Sequence, residues 1–235
     1  QVFVFAVVML AAAGSMLRAT DLVIEDGVTR ANVWEEGRPV GTLSLTLGGR
    51  HNLLNALGAA AAARALGARW DAILPALASF AGVGRRFERV GEVDGVLVID
   101  DYAHHPTELA AALRATRALY PDRRVVAVFQ PHLFSRTRDF AREFGEALSL
   151  ADSLVVTDVF PAREEPIPGV TGQTIVDAAT AAGARDVTYV AALDRVAAET
   201  RALAREGDVV LTLGAGSIER VGAELVQALQ EAVHA

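Results

Sequence analysis

The stretch VLVIDDYAHHPTEL, residues 96–109, decides the fold. It opens with an unbroken apolar run, Val96–Ile99, of the length and β-branched character expected of a strand buried on both faces. Asp100 and Asp101 follow at its carboxyl end, and Pro106 and Glu108 then suit the first turn of a helix. A strand that passes through one polar turn into a helix is the start of a βαβ unit. Further on, RVVAVFQ (124–130), SLVVTDV (153–159), DVTYVA (186–191) and DVVLTL (208–213) repeat the strand pattern. They are separated by helical stretches of about 10–15 residues. The expected fold class is therefore α/β, a Rossmann-like, mostly parallel sheet with helices on both faces. In such sheets ligands bind beyond the carboxyl ends of the strands.

Before residue 96 the pattern differs. Residues 1 to about 48 read as short strands, most clearly VGTLSLTL (40–47), where Leu43, Leu45 and Leu47 alternate with small polar residues. Helices are expected over about 51–66 and from Trp70 to Phe80. The segment GVGRRFERVGEVDG (82–95) reads as a connection, rich in glycine and charge. Two domains are thus expected, 1–90 and 91–235. Residues 2–13, VFVFAVVMLAAA, are too few to span a bilayer as a helix and lack the basic flank of a secretion signal. They read as a buried strand at the edge of a truncated domain.

Composition narrows the chemistry. The chain has 235 residues, a net charge of −7, no cysteine and no lysine, so its 22 basic residues are all arginine. This excludes thiolate chemistry, disulfides, a lysine Schiff base and a P-loop lysine. A net negative chain without a basic run is poorly suited to nucleic acid or a membrane surface. The expectation is a soluble, cytoplasmic globular protein.

The uncommon polar residues gather at element boundaries. In GRHNLLNAL (49–57), Asn52 and Asn55 are three apart and share a helix face, beside His51. Asn52 is open to two readings, a helix cap or an amide edge for a nucleotide base. Asp100, Asp101, Tyr102, His104 and His105 crowd one turn, a set suited to orienting a nucleotide, a metal or an amine. FQPHLFSRTRDF (129–140) places His132, Arg136 and Arg138 after the next strand. The two arginines point to different helical faces, so one of them is expected to meet a carboxylate or phosphate. DVFPAREEPIPG (158–169) puts Asp158, Arg163, Glu164 and Glu165 in a proline-rich loop. LTLGAGSIERV (211–221) makes a glycine turn but lacks the third glycine of a dinucleotide fingerprint.

In this order, HNLLNAL, GVGRRFE, DDYAHHPTE, FQPHLFSRTRDF, EEPIPG and GAGSI resemble the Mur ligases of peptidoglycan synthesis. The likeness covers about residues 17–235 and is strongest to the member that joins L-alanine to UDP-N-acetylmuramate. It implies that residues 1–90 are the end of the family's central α/β ATPase domain and 91–235 its carboxyl-terminal Rossmann-like domain. It also implies ATP-dependent amide formation: ATP phosphorylates the muramate carboxylate, and the L-alanine amine then displaces phosphate. Under the family pattern His51, Asn52 and Asn55 would meet adenine, and Arg86 and Asp101 the ribose and phosphates. Tyr102, His104, His132 and Arg136 would hold L-alanine, with His104 and Arg136 the catalytic pair and Arg136 on the carboxylate. Some relatives carry a basic residue where this chain has Leu133.

The UDP-binding domain, the P-loop and the Glu and His that bind magnesium are expected outside these residues, so no metal ligand is assigned here. The chain alone is expected to be inactive. Two alternatives stand beside this reading: a muropeptide recycling ligase that adds a peptide, and a non-catalytic Rossmann-like binding module.

Overall fold

The computed structural model describes residues 8–12, 15–25, 28–46, 50–80 and 82–233. It divides into two compact units, Gln1–Val83 and Gly84–Ala235. Among the described residues no helix is long and apolar enough to cross a membrane.

In the first unit, strands β1 (Val8–Ala12), β2 (Ser15–Glu25), β3 (Val28–Glu35) and β4 (Arg38–Leu45) form an antiparallel meander in sequential order. Alternation sets its inner face: Ala31, Val33, Leu43 and Leu45 are buried, as the reading of VGTLSLTL requires. Leu47, and residues 1–7 and 13 of the apolar opening segment, lie outside the described residues. Helices α1 (Arg50–Ala65) and α2 (Trp70–Ala78) cover that face with Leu53, Leu57 and Leu77. A polar tie holds both helices to the end of β3. Arg64 donates to Glu35 through Nε and Nη2 at 2.9 and 3.0 Å, and Trp70 Nε1 donates to the same carboxylate at 2.9 Å.

The second unit is a six-stranded sheet in the order β5-β6-β10-β7-β8-β9. Its strands are β5 (Glu88–Val93), β6 (Val96–Asp101), β7 (Val125–Phe129), β8 (Ser153–Val156), β9 (Val187–Tyr189) and β10 (Val209–Leu213). All neighbours are parallel except β5, which pairs antiparallel with β6. This corrects the reading of 82–95 as a bare connection. Asp94 and Gly95, at φ of 49° and 73°, form the two-residue turn of a hairpin, which is why the unit begins before the boundary expected near residue 90.

Side-chain period two splits the core between the faces. Leu97, Ile99, Phe129, Leu154 and Leu211 pack under helices α3 (Pro106–Leu119), α5 (Ala141–Leu148) and α6 (Gly172–Ala181). Val98, Val126, Val128, Val155 and Val210 pack under α7 (Leu193–Leu203) and α8 (Glu219–Val233). Each such fully buried side chain contributes about 1.5–3 kcal/mol. The short helix α4 (Phe134–Asp139) precedes α5. Helix α3 leaves β6 on one face, whereas α7 precedes β10 and α8 follows it on the other. The connections therefore diverge around β6, β10 and β7, and the crevice at their carboxyl ends is where such sheets place ligands.

Candidate active site

At the end of β6 the chain turns sharply, and its acids are largely committed to structure. Asp100 is buried and accepts from Thr212 Oγ1 at 2.6 Å and from Arg85 Nε at 2.8 Å. Asp101 accepts from the backbone N–H groups of Ala103 and Phe87, both at 2.8 Å. Burial nonetheless raises its pKa above the ordinary carboxylate value, against the pull of those two donors and of Arg86. His105 caps α3, Pro106 opens it, and Glu108 reaches back to the backbone N–H of His104 and His105 at 3.0 and 3.2 Å. This capping box fixes the turn that carries Tyr102 and His104.

The side chains left over face one another. The His104 ring lies 5.3 Å from Tyr102, edge to face, and 5.8 Å from His132, centroid to centroid. His104 Nδ1 is 2.9 Å from the carbonyl of Tyr102. A carbonyl only accepts, so Nδ1 carries a proton, and whenever the ring is neutral its lone pair is at Nε2. Arg136, on α4, donates to the carbonyl of His104 at 3.4 Å and has no ion-pair partner among the described residues. His132 stacks on Phe160 at 5.6 Å, and its buried Nδ1 has no hydrogen-bond partner among the described residues. Burial, then the charges of Arg136 and His104, push its pKa down, so the ring is neutral at neutral pH.

The backbone around these groups is strained. Leu133 has φ of 72°, costly for a side-chain-bearing residue, and is held by its N–H to the Phe160 carbonyl at 3.0 Å. Glu164 in the loop after β8 accepts from the Ser135 backbone at 2.9 Å and from its hydroxyl, and these two bonds, the hydroxyl first, lower its pKa. In the glycine turn after β10, a Cβ on Gly216 would come within 2.6 Å of both the Phe160 ring and Gln130 Oε1. The turn passes too close for any larger residue.

A family model described as Mur ligase, glutamate ligase domain matches residues 85–216, more than half of the chain. The chain belongs to the Mur ligase family. It is 52% identical over 202 residues to the UDP-N-acetylmuramate–L-alanine ligase of Mycolicibacterium gilvum, covering 85% of this chain and 42% of that protein. It is 50% identical over 190 residues to the enzyme of the same name from Streptomyces coelicolor, covering 81% and 41%. Among solved structures it is similar to the UDP-N-acetylmuramate–alanine ligase of Thermotoga maritima, with a TM-score of 0.72, 29% identity, and 92% and 46% coverage. The murein peptide ligase of Psychrobacter arcticus gives a TM-score of 0.65, 26% identity, and 91% and 44% coverage. The chain spans less than half the length of these Mur ligase relatives.

The Mur ligase fold gathers Tyr102, His104, His132 and Arg136 as the sequence reading grouped them. Arg138 does not join them; it pairs with Asp139 on the surface at 2.7 Å. Arg86 is exposed and hydrogen-bonds to none of the described residues, whereas its neighbour Arg85, which the motif reading passed over, is half-buried in the turn network. Both oxygens of Asp101, expected to face a nucleotide, accept backbone donors. Arg163 and Glu165 are exposed, while Asp158 accepts from Gly172 N and the Tyr189 hydroxyl, both at 2.9 Å. In the first unit α1 begins at Arg50, so Asn52 lies inside the first turn instead of capping it, and Asn55 is exposed on the same helix. The side chain of His51 lies outside the described residues. Among the described residues no three His, Asp or Glu side chains converge as a metal set.

Proposed function

We propose that this chain is the carboxyl-terminal portion of a UDP-N-acetylmuramate–L-alanine ligase acting in the cytoplasm in peptidoglycan synthesis, with ATP and magnesium as its co-reactants. The observation that carries the reading is the Arg136 guanidinium, without an ion pair among the described residues, beside His104 and His132 at the strand ends of a chain about half identical to ligases of that name. ATP supplies the phosphoryl group that makes the muramate carboxylate an electrophile. The residues of this chain prepare the amine. Arg136 takes the carboxylate of L-alanine in a two-pronged contact. The Nε2 lone pair of His104 accepts a proton of the ammonium group, which must be lost before nitrogen can attack. Neutral His132 adds no charge to oppose the ammonium, and the Tyr102 ring packs edge to face on His104. Asn52 and Asn55, with His51, are assigned to adenine, and Arg86 and Asp101 to the ribose and phosphates.

On this reading residues 1–90 belong to the central ATPase domain, and the 235 residues by themselves turn over no ATP. The test is a hybrid in which this chain replaces the matching portion of the Mycolicibacterium gilvum relative. Phosphate release that depends on L-alanine supports the proposal. Release that prefers a tripeptide points instead to a murein peptide ligase, the activity named for the Psychrobacter arcticus neighbour. A folded hybrid with neither activity leaves the Rossmann-like binding module.

A further inference from the structure

Arg85 draws contacts from several segments of this edge together. Its Nε donates to Asp100 at 2.8 Å, its Nη2 to the Gly214 carbonyl at 2.7 Å, and its Nη1 to the Gly216 carbonyl at 3.5 Å, with Glu219 at 3.3 Å from the same nitrogen. The guanidinium also lies over the Tyr102 ring, 5.0 Å from its centroid. The backbone repeats the connection: the Arg85 carbonyl accepts from Tyr102 N at 2.7 Å, and Arg85 N donates to Glu88 at 2.6 Å. Arg85 and Phe87 both sit at positive φ, 61° and 52°. Two left-handed, side-chain-bearing residues persist only where the surroundings over-determine them. One side chain therefore ties the segment before β5, the turn after β6 and the glycine turn after β10.

We propose that Arg85 is a positioning residue that sets the Tyr102 ring and the 214–216 turn for the amino-acid substrate. The proposal rests on the reading of Tyr102, His104 and Arg136 as the L-alanine site, but its first observable does not depend on that reading. A planar fork with donors on three nitrogens reaches one carboxylate and two carbonyls while offering a flat face to an aromatic ring, which an ammonium cannot do. Arg85 itself need not touch the substrate.

The test uses the full chain and the variants Arg85→Ala and Arg85→Lys, with two readouts. In amide hydrogen exchange, Arg85→Ala speeds the Tyr102 and Phe87 amides while Val98 and Leu211, at the centre of the sheet, keep wild-type protection. In NMR titration with L-alanine, Arg85→Ala raises Kd about tenfold, as expected for a contact surface displaced by a fraction of an ångström. Arg85→Lys falls between, because it keeps the charge beside Asp100 but loses the fork. Should the alanine variant fail to fold, the lysine variant carries both measurements. Equal acceleration at all four amides would mean that Arg85 only stabilises the sheet, which overturns the proposal. Wild-type L-alanine affinity in a variant with faster Tyr102 exchange also overturns it, leaving the assignment of the site intact. If the wild-type chain shows no L-alanine response, the site assignment fails and the proposal falls with it.

Discussion

At its two edges the parallel sheet holds two arginines, Arg124 and Arg136, in different ways. At the amino edge Arg124 meets Asp208 through two bonds, of 3.1 and 2.8 Å, and donates to the Leu203 carbonyl at 2.8 Å. Asp208, almost fully buried, also accepts from Arg205 N at 2.8 Å. Asp152 joins Arg117 to the start of β7 in the same way. At the carboxyl edge Arg136 makes no ion pair among the described residues, although its charge acts on Glu164, His132 keeps a buried nitrogen without a bond among them, and Leu133 holds a left-handed backbone. A charge whose partner is supplied by the fold serves stability, and a charge held in place without one is poised for a ligand. The amino edge pairs Arg124 and Arg117 with acids of the chain, whereas Arg136 at the carboxyl edge makes no ion pair among the described residues.

The largest effect should come from Arg136, which makes no ion pair among the described residues. Arg136→Ala in the hybrid enzyme should lower kcat/KM for L-alanine on the order of a hundredfold, about 3 kcal/mol, with little change in melting temperature. Loss of stability with unchanged kcat/KM would reverse the contrast between the edges. The opposite pattern is expected of Asp208→Ala. It should cost about 2 kcal/mol in urea unfolding, less than a fully buried pair would, because the stranded Arg124 can reach water. Its kcat/KM should remain near wild type.

His132 gives a pH-dependent test. Its folded pKa is depressed below the ordinary value of 6.5, so below that pH the unfolded chain binds more protons than the folded one. Stability is therefore lost as pH falls through 6.5 toward the lowered value. His132→Gln should flatten that part of the stability curve, measured by urea titration between about pH 5 and 7. An unchanged slope would show that another group carries it. The smallest effect is reserved for Arg138→Ala, whose exposed partner Asp139 is equally well hydrated alone. It should change neither stability nor kcat/KM beyond error, and any sizeable loss of activity would mean that the wrong arginine of the pair has been assigned.

Much of this architecture was legible in the residues. Runs such as Val96–Ile99 and Val125–Phe129 are apolar at every position because both faces of their strands are covered, and that pattern survives without coordinates. The capping box of α3 could be read from Pro106 and Glu108. The hairpin turn Asp94–Gly95 was equally visible but was masked by the charges around it, since an edge strand tolerates polar residues on both sides. Arg85 and Arg86 could not be told apart. They are adjacent and identical, and only the handedness of the backbone sends one inward.

The order of strands, helices and polar turns, and with it membership of the Mur ligase family, was written in local patterns: periodicity, turn chemistry and motif spacing. These act over a few residues, so a linear reading can recover them. Which arginine is spent on structure and which is kept free was decided only in three dimensions. Arg85 finds its carbonyl on Gly214, 129 residues away, and Asp100 finds its hydroxyl on Thr212, 112 residues away. Pairing energy depends on distance and burial in the folded chain, and neither is a property of spacing along it.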